Sequence, residues 1–157
     1  MNVKIRKITK NDTANIIKWR NNIEVLKYFI DQRLLTEETH NNWLTNYVEK
    51  GLVEQFIICW DNIDVGSVFL KNIDNIHKYA EYGIFIGDTC CRGMGVGSKA
   101  SKLILEFGFN SLKLDEIYLR VRSNNTKAIK VYEKLGFNKT EEVEGITFMN
   151  IKKENFR

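Results

Sequence analysis

The chain has 157 residues, of which 43% are hydrophobic and 28% are charged, and its formal net charge is +4. This length and apolar content suit one folded domain with a buried core, so residues 1–157 are treated as a single unit. The charge is too small and too dispersed to indicate nucleic-acid binding, and no apolar stretch approaches the ~20 residues that a membrane-spanning helix requires.

The N-terminal third is predicted to contain one strand and two helices. The segment VKIRKIT (3–9) alternates apolar and basic residues, which predicts a strand rather than a signal peptide. Asn11 or Asp12 is predicted to cap the first helix, and Thr36 the second, which Gly51 ends. Three strand-like segments follow at 54–60, 65–73 and 78–86, and their short connections predict an antiparallel meander.

The C-terminal half alternates helices and strands. Apolar residues at helical spacing predict a helix over 98–112, before a strand at 116–122 and an amphipathic helix at 125–136. The last segments resemble a closing hairpin. A helical crossover joins strands that run parallel, so the strand pair 78–86 and 116–122 is predicted to be parallel in an α/β fold.

The cysteines give no sign of a metal site or of disulfides. Cys59, Cys90 and Cys91 are odd in number and come without a secretion signal, which favours reduced thiols in the cytoplasm. Adjacent Cys90 and Cys91 lack a nearby histidine or second cysteine pair, so no metal is expected. The choice between monomer and homodimer stays open.

A glycine-rich loop, CRGMGVGSK (91–99), lies between the third strand of the meander and the following helix. A helix N-terminus presents unpaired N–H groups and the positive end of the helix dipole, which suits a phosphate. The pattern is neither a dinucleotide fingerprint nor a P-loop, because the third glycine comes too early and Lys99 follows Ser98. It does fit R-x-x-G-x-G.

That motif, followed by N-x-x-A-x-x-x-Y-x-K-x-G-F at 125–137, resembles the GNAT superfamily of acyl-CoA N-acyltransferases. The resemblance implies a single-domain GNAT fold, a mostly antiparallel mixed sheet with one splayed parallel pair, and acetyl-CoA as the acetyl donor. It also implies that the donor's pyrophosphate binds the loop and that its pantetheine arm lies along the strand. The implied donor contacts are Arg92, Gly93, Met94, Gly95, Val96, Gly97, Ser98, Ile84, Phe85, Ile86 and Asn125.

The same resemblance suggests catalytic residues. Tyr132 resembles the tyrosine that many GNAT enzymes use as a general acid toward the coenzyme A sulfur, although its helix position also suits core packing. Asn125 is expected to cap its helix in addition to contacting the donor. Glu81 and His40 are the candidate bases, and a water chain is the alternative. Arg120 stands where some protein N-terminal acetylating relatives have glutamate.

The acceptor is predicted from the stretch KWRNN (18–22). It resembles acetyltransferases that act on nucleotide-linked amino sugars, such as those of the pseudaminic acid pathway. Arg20, Asn21 and His40 are then the expected acceptor contacts, with Arg20 facing the cleft near His40 and binding a diphosphate. Two alternatives remain: a ribosomal-protein type N-terminal acetyltransferase, because WRN also occurs there, and a non-catalytic acyl-CoA-binding module.

Overall fold

The computed structural model describes every residue from Met1 to Arg157, and its centre is one seven-stranded sheet. The strand order is β1-β2-β3-β4-β5-β7-β6, and only β4 and β5 pair in parallel. This mixed α/β sheet confirms the predicted fold class. The strands are β1 (Val3–Lys7), β2 (Glu54–Trp60), β3 (Ile63–Asp74), β4 (Tyr79–Ile86), β5 (Glu116–Arg122), β6 (Asn138–Val143) and β7 (Ile146–Lys152).

Five α-helices cover the two faces of the sheet. They are α1 (Thr13–Asn21), α2 (Ile23–Leu26), α3 (Glu37–Trp43), α4 (Val96–Glu106) and α5 (Thr126–Leu135). Helices α3 and α4 each continue into a π-helical turn, Leu44–Val48 and Phe107–Ser111. None of the helices is long and apolar enough to cross a membrane.

Side chains that alternate along the strands bury a separate core on each face. The larger core packs α4 and α5 against residues such as Tyr82, Ile117 and Leu119. The smaller one packs Trp19 of α1 against Phe85 on the opposite face of β4. Residues of even and odd number on β4 therefore face different helices.

The parallel strands β4 and β5 pair over only three residues each. Tyr79–Glu81 pairs with Glu116–Tyr118, and beyond these positions the two strands have no register with each other. The segments 82–86 and 119–122 diverge while each stays paired on its outer side, with β3 and β7. This wedge-shaped opening, here called the splay, is the one that the family resemblance implies. Glu81 and Tyr118 lie at its vertex.

Candidate active site

The glycine-rich loop leaves a run of backbone amides without acceptors. The first backbone hydrogen bond of α4 runs from the Lys99 N–H to the Gly95 carbonyl at 3.2 Å, and the N–H groups of residues 93–98 donate to no backbone carbonyl. Gly93 (φ +76°) and Gly95 (φ +82°) adopt left-handed conformations, which glycine does more readily than other residues. Six free N–H groups at the N-terminus of an eleven-residue helix fit the diphosphate of a nucleotide donor.

Arg92 does not project freely into this loop. Its Nη2 donates to the backbone carbonyl of Glu24 at 2.8 Å, and its guanidinium lies 6.0 Å from the ring centroid of Tyr28. The arginine of the motif thus ties the glycine-rich loop to α2. Any contact that it makes with the donor would compete with this tether.

The free edge of β4 leads from this loop to the vertex of the splay. Residues 82–86 are paired with β3 on one side and with no strand on the other, which leaves about 16 Å of open strand edge. Ile84 and Ile86 face the core under α4, and Phe85 faces α1. An extended arm with amide groups can pair with this edge as an additional strand would.

Tyr132 approaches the splay from the α5 side. Its ring is half-buried and packs edge-on against Tyr82, with 5.7 Å between the centroids. Burial raises the pKa of Tyr132 to about 12, and its hydroxyl makes no hydrogen bond to the protein. The phenol therefore keeps its proton at neutral pH, and its hydroxyl is free to donate a hydrogen bond. Asn125 caps the same helix, since its Oδ1 accepts from the Ala128 N–H at 3.3 Å.

Glu81 lies at the vertex on the opposite face and is 5% exposed. Its Oε2 accepts from Arg120 Nε at 2.9 Å. Its Oε1 accepts from Asn72 Nδ2 at 3.1 Å and from the Tyr118 hydroxyl at 3.3 Å. A buried carboxylate is stable only with such partners. The splay thus lies between a neutral phenol on one face and a hydrogen-bonded carboxylate on the other.

His40 lies on α3 and is buried. It is 2% exposed, and the charge of Asp12 acts on it from the N-terminal end of α1. Burial lowers the pKa of His40, and its Nε2 is buried without a hydrogen-bond partner. No hydrogen bond or ion pair joins His40 to Arg20 or to Glu81, and the role of His40 as a base or acceptor contact stays a prediction.

Arg20 and Asn21 hold the segments that follow α1. Asn21 exchanges two hydrogen bonds with the backbone of Leu35, at 2.7 and 2.8 Å, so both its amide nitrogen and its amide oxygen are engaged. The Arg20 guanidinium lies 3.5 Å from the ring centroid of Phe29, and its Nη2 donates to the Asp31 carbonyl. Its Nη1 is buried without a partner, and the burial lowers the pKa of Arg20.

The loop after α2 lies across the wide end of the splay. The Phe29 ring packs on Phe85 of β4, with 5.7 Å between centroids, and the Phe29 carbonyl accepts from Arg122 Nε of β5 at 3.2 Å. A single residue thus contacts both diverging strands. Arg120 and Arg122, at alternate positions of β5, share this face of the splay, and the Arg20 guanidinium stacks on the other side of the loop at Phe29.

Sequence reasoning missed Asn72, Tyr118 and Arg122 as components of the site. Tyr118 and Arg122 have a signal in the sequence, because they share a strand face with Arg120 at alternate positions. Asn72 reaches Glu81 through a β-bulge, which no local pattern indicates.

A GNAT acetyltransferase domain model matches residues 2–138 of this chain. The chain belongs to the GNAT family. It is an acetyl-CoA-dependent N-acetyltransferase, and the free amides at the N-terminus of α4 and the open edge of β4 fit coenzyme A.

Several GNAT acetyltransferases are similar to this chain in sequence or in structure. It is 29% identical to the spermidine N(1)-acetyltransferase of Escherichia coli K12, covering 94% of this chain and 79% of that protein. It is 26% identical to acetyltransferase PseH of Campylobacter jejuni, covering 89% and 85% of the two chains. The crystal structure of Vibrio cholerae spermidine N-acetyltransferase with CoA and spermine superposes with a TM-score of 0.88 at 22% identity, covering 98% and 96%.

Proposed function

We propose that this GNAT enzyme acetylates the amine of a small molecule that also carries negative charge, with a nucleotide-linked (UDP) amino sugar as the favoured acceptor. The observation that carries the proposal is the positive charge on the Glu81 face of the splay, where we place the acceptor and which we call the acceptor face. Arg120 and Arg122 lie on it, the Arg20 guanidinium stacks on the Phe29 ring next to it, and Glu81 is already paired with Arg120. Guanidinium groups suit a diphosphate or carboxylate and repel a polyamine.

Asp31 is the acidic residue next to Arg20, and its carboxylate does not neutralise the Arg20 guanidinium. The carboxylate of Asp31 is bonded to Arg33, at 2.6 Å for the shortest contact, and only its backbone carbonyl contacts Arg20. Arg20 is therefore not in an ion pair, and its unpartnered Nη1 offers a donor to an incoming anion once the loop around Phe29 adjusts.

Glu81 and Tyr132, on opposite faces of the splay, have different roles in the proposed reaction. Acetyl-CoA supplies an activated thioester, which we place in the splay with its carbonyl near the vertex. We propose that Glu81 receives the ammonium of the acceptor and takes its proton, so that the neutral amine can form the new C–N bond. Tyr132, on the other face, donates to the sulfur as the C–S bond breaks.

The acidity of Tyr132 decides whether it transfers its proton to the leaving thiolate or only hydrogen-bonds to it. With the pKa of Tyr132 at about 12 and that of an ordinary thiol at about 8.5, the phenol holds its proton more tightly than the leaving group does. We infer that Tyr132 stabilises the thiolate chiefly through a strong hydrogen bond, with final protonation shared with solvent.

A polyamine acceptor is the second candidate, and the 29% identity to spermidine N(1)-acetyltransferase over most of the chain favours it. Against it, a polyamine would meet two guanidinium groups and one paired carboxylate on this face, with a third guanidinium group next to it. The ribosomal-protein type acetyltransferase and the non-catalytic module have no comparable support in the structure.

A thiol-release assay with acetyl-CoA tests these candidates directly. The acceptors are a UDP-linked 4-amino-4,6-dideoxy sugar, spermidine and a peptide with a free N-terminus. Arg20→Ala should raise the acceptor KM about 10–150-fold, equivalent to about 1.5–3 kcal/mol of a charged hydrogen bond, and leave acetyl-CoA binding unchanged. Lys18→Ala, on the same helix and exposed, is the matched control. Preferred turnover of spermidine, insensitive to Arg20→Ala, would reject the anionic acceptor.

A further inference from the structure

Asn72 has an unusual backbone conformation for a strand residue. It lies within β3 with φ +50°, a left-handed value that asparagine adopts more readily than most residues do. The register between β3 and β4 shifts here, between Lys71 and Asp74. Such bulges interrupt strand pairing and redirect a side chain, and they are common beside active sites.

The bulge directs the Asn72 amide toward the buried carboxylate of Glu81. The distance from Asn72 Nδ2 to Glu81 Oε1 is 3.1 Å, and the Tyr118 hydroxyl shares the same oxygen at 3.3 Å. Each carboxylate oxygen accepts about two hydrogen bonds. Oε1 is therefore saturated, whereas Oε2 has only the bond from Arg120 and keeps one free position.

We propose that Asn72 is a positioning residue that fixes the Glu81 carboxylate so that Oε2 alone receives the acceptor ammonium. This inference rests on the role of Glu81 under the proposed function. The terminal torsion of a glutamate side chain is soft. Without Asn72, only the hydrogen bond from Arg120 and the longer one from Tyr118 would hold the Glu81 carboxylate, so it could rotate. In the step itself, the ammonium proton moves to Oε2 while the electron pair stays on nitrogen.

The charged and titratable groups around Glu81 come from two strands. Arg120 and Tyr118 face it from β5, and Lys71 is its register partner on β3. Asn72 is the one neutral contact that does not titrate. Its removal therefore changes the hydrogen bonding of Glu81 without changing the formal charge of the site.

The test uses Asn72→Gly, because glycine keeps the left-handed backbone and deletes the amide. With the amine of highest kcat/KM among the UDP-linked sugar, spermidine and peptide, we expect kcat/KM for the acceptor to fall about tenfold. We also expect its acidic limb to move to higher pH, since a hydrogen bond that favours the ionised carboxylate is lost. The acetyl-CoA KM should not change.

Asn62→Gly is the matched control. Asn62 has φ +70° in the turn between β2 and β3, far along the sheet from the vertex. Both glycine variants should shift Tm by no more than about 3 °C, and only Asn72→Gly should change the pH profile. Asn72→Asp, which places a second carboxylate against Glu81, should move the acidic limb further upward than Asn72→Gly does.

Three results separate the outcomes. A wild-type profile in Asn72→Gly, with Glu81→Gln nearly inactive, would overturn the role of Asn72 and leave that of Glu81 intact. An unchanged profile in Glu81→Gln would overturn both, while the order of the acceptors in the panel would still decide the substrate class. An equal loss in Asn62→Gly would show that the effect is general and would also overturn the proposal.

Discussion

Gly97 offers a substitution that should separate donor binding from folding. It is the second residue of α4, and a methyl group added there would lie 3.9 Å from Ile84 Cδ1, which is ordinary van der Waals contact. Gly97→Ala should therefore fold normally. Because alanine is the better helix former, it should gain up to about 1 kcal/mol of stability, or about 2–4 °C in Tm.

The same methyl group should weaken the binding of the acetyl donor. Its contact with Ile84 places it between the N-terminus of α4 and the open edge of β4, where we place the pyrophosphate of coenzyme A. Loss of one charged hydrogen bond weakens binding about tenfold or more. At a coenzyme A concentration of about 100 Kd for the wild type, ligand stabilisation would fall from about 2.7 to about 1.4 kcal/mol.

Thermal denaturation with a titration of coenzyme A measures both quantities at once. The wild-type shift should be about 5–11 °C and that of Gly97→Ala about 3–6 °C. Gly145→Ala, in the β6–β7 turn with φ +80° and no neighbour within 4 Å, should show the reverse, with lower intrinsic stability and an unchanged ligand shift. An undiminished shift in Gly97→Ala would refute the placement of the pyrophosphate.

Three further predictions concern catalysis, pH and packing. Tyr132→Phe should lower kcat about 10²-fold with little change in coenzyme A affinity, and full turnover in steady-state kinetics would leave Tyr132 only its packing role. Burial lowers the folded-state pKa of His40, so stability should fall as the pH drops below about 6.5, the unfolded value; urea titrations of His40→Gln should lose this component, and an identical pH dependence would exclude His40 as its source. Gly87→Ala would place its methyl group in the Trp19 ring and should cost about 1–3 kcal/mol by urea denaturation, whereas an unchanged midpoint would show that Trp19 repacks freely.

The sequence predicted the elements around the donor site well because they are local patterns. The strands at 54–60 and 116–122 and the helix after the glycine loop follow from periodicity and from their turn residues. The splay followed from the parallel crossover together with the family resemblance. The short helix α2 was not predicted, since four residues carry too little periodicity to identify it.

The acceptor face was harder to predict because its contacts join distant segments. Asparagine is a residue type that often binds ligands, yet Asn21 holds the Leu35 backbone. His40 is likewise of a catalytic type, yet it is buried next to α1. Arg92, in a phosphate-binding motif, holds α2 through the Glu24 carbonyl. In each case the side chain satisfies a backbone group or a core position that appears only after the loops have packed.

The proposed acceptor chemistry is tested most directly by comparing one amino sugar with and without its nucleotide. The measurement is kcat/KM for the UDP-linked 4-amino-4,6-dideoxy sugar, for the same sugar without UDP, and for spermidine, at two salt concentrations. We expect the UDP-linked sugar to exceed both others by about 10²-fold, with an advantage that shrinks in high salt as its charge contacts are screened. Equal values for the linked and unlinked sugars, or a higher value for spermidine, would contradict an anionic acceptor.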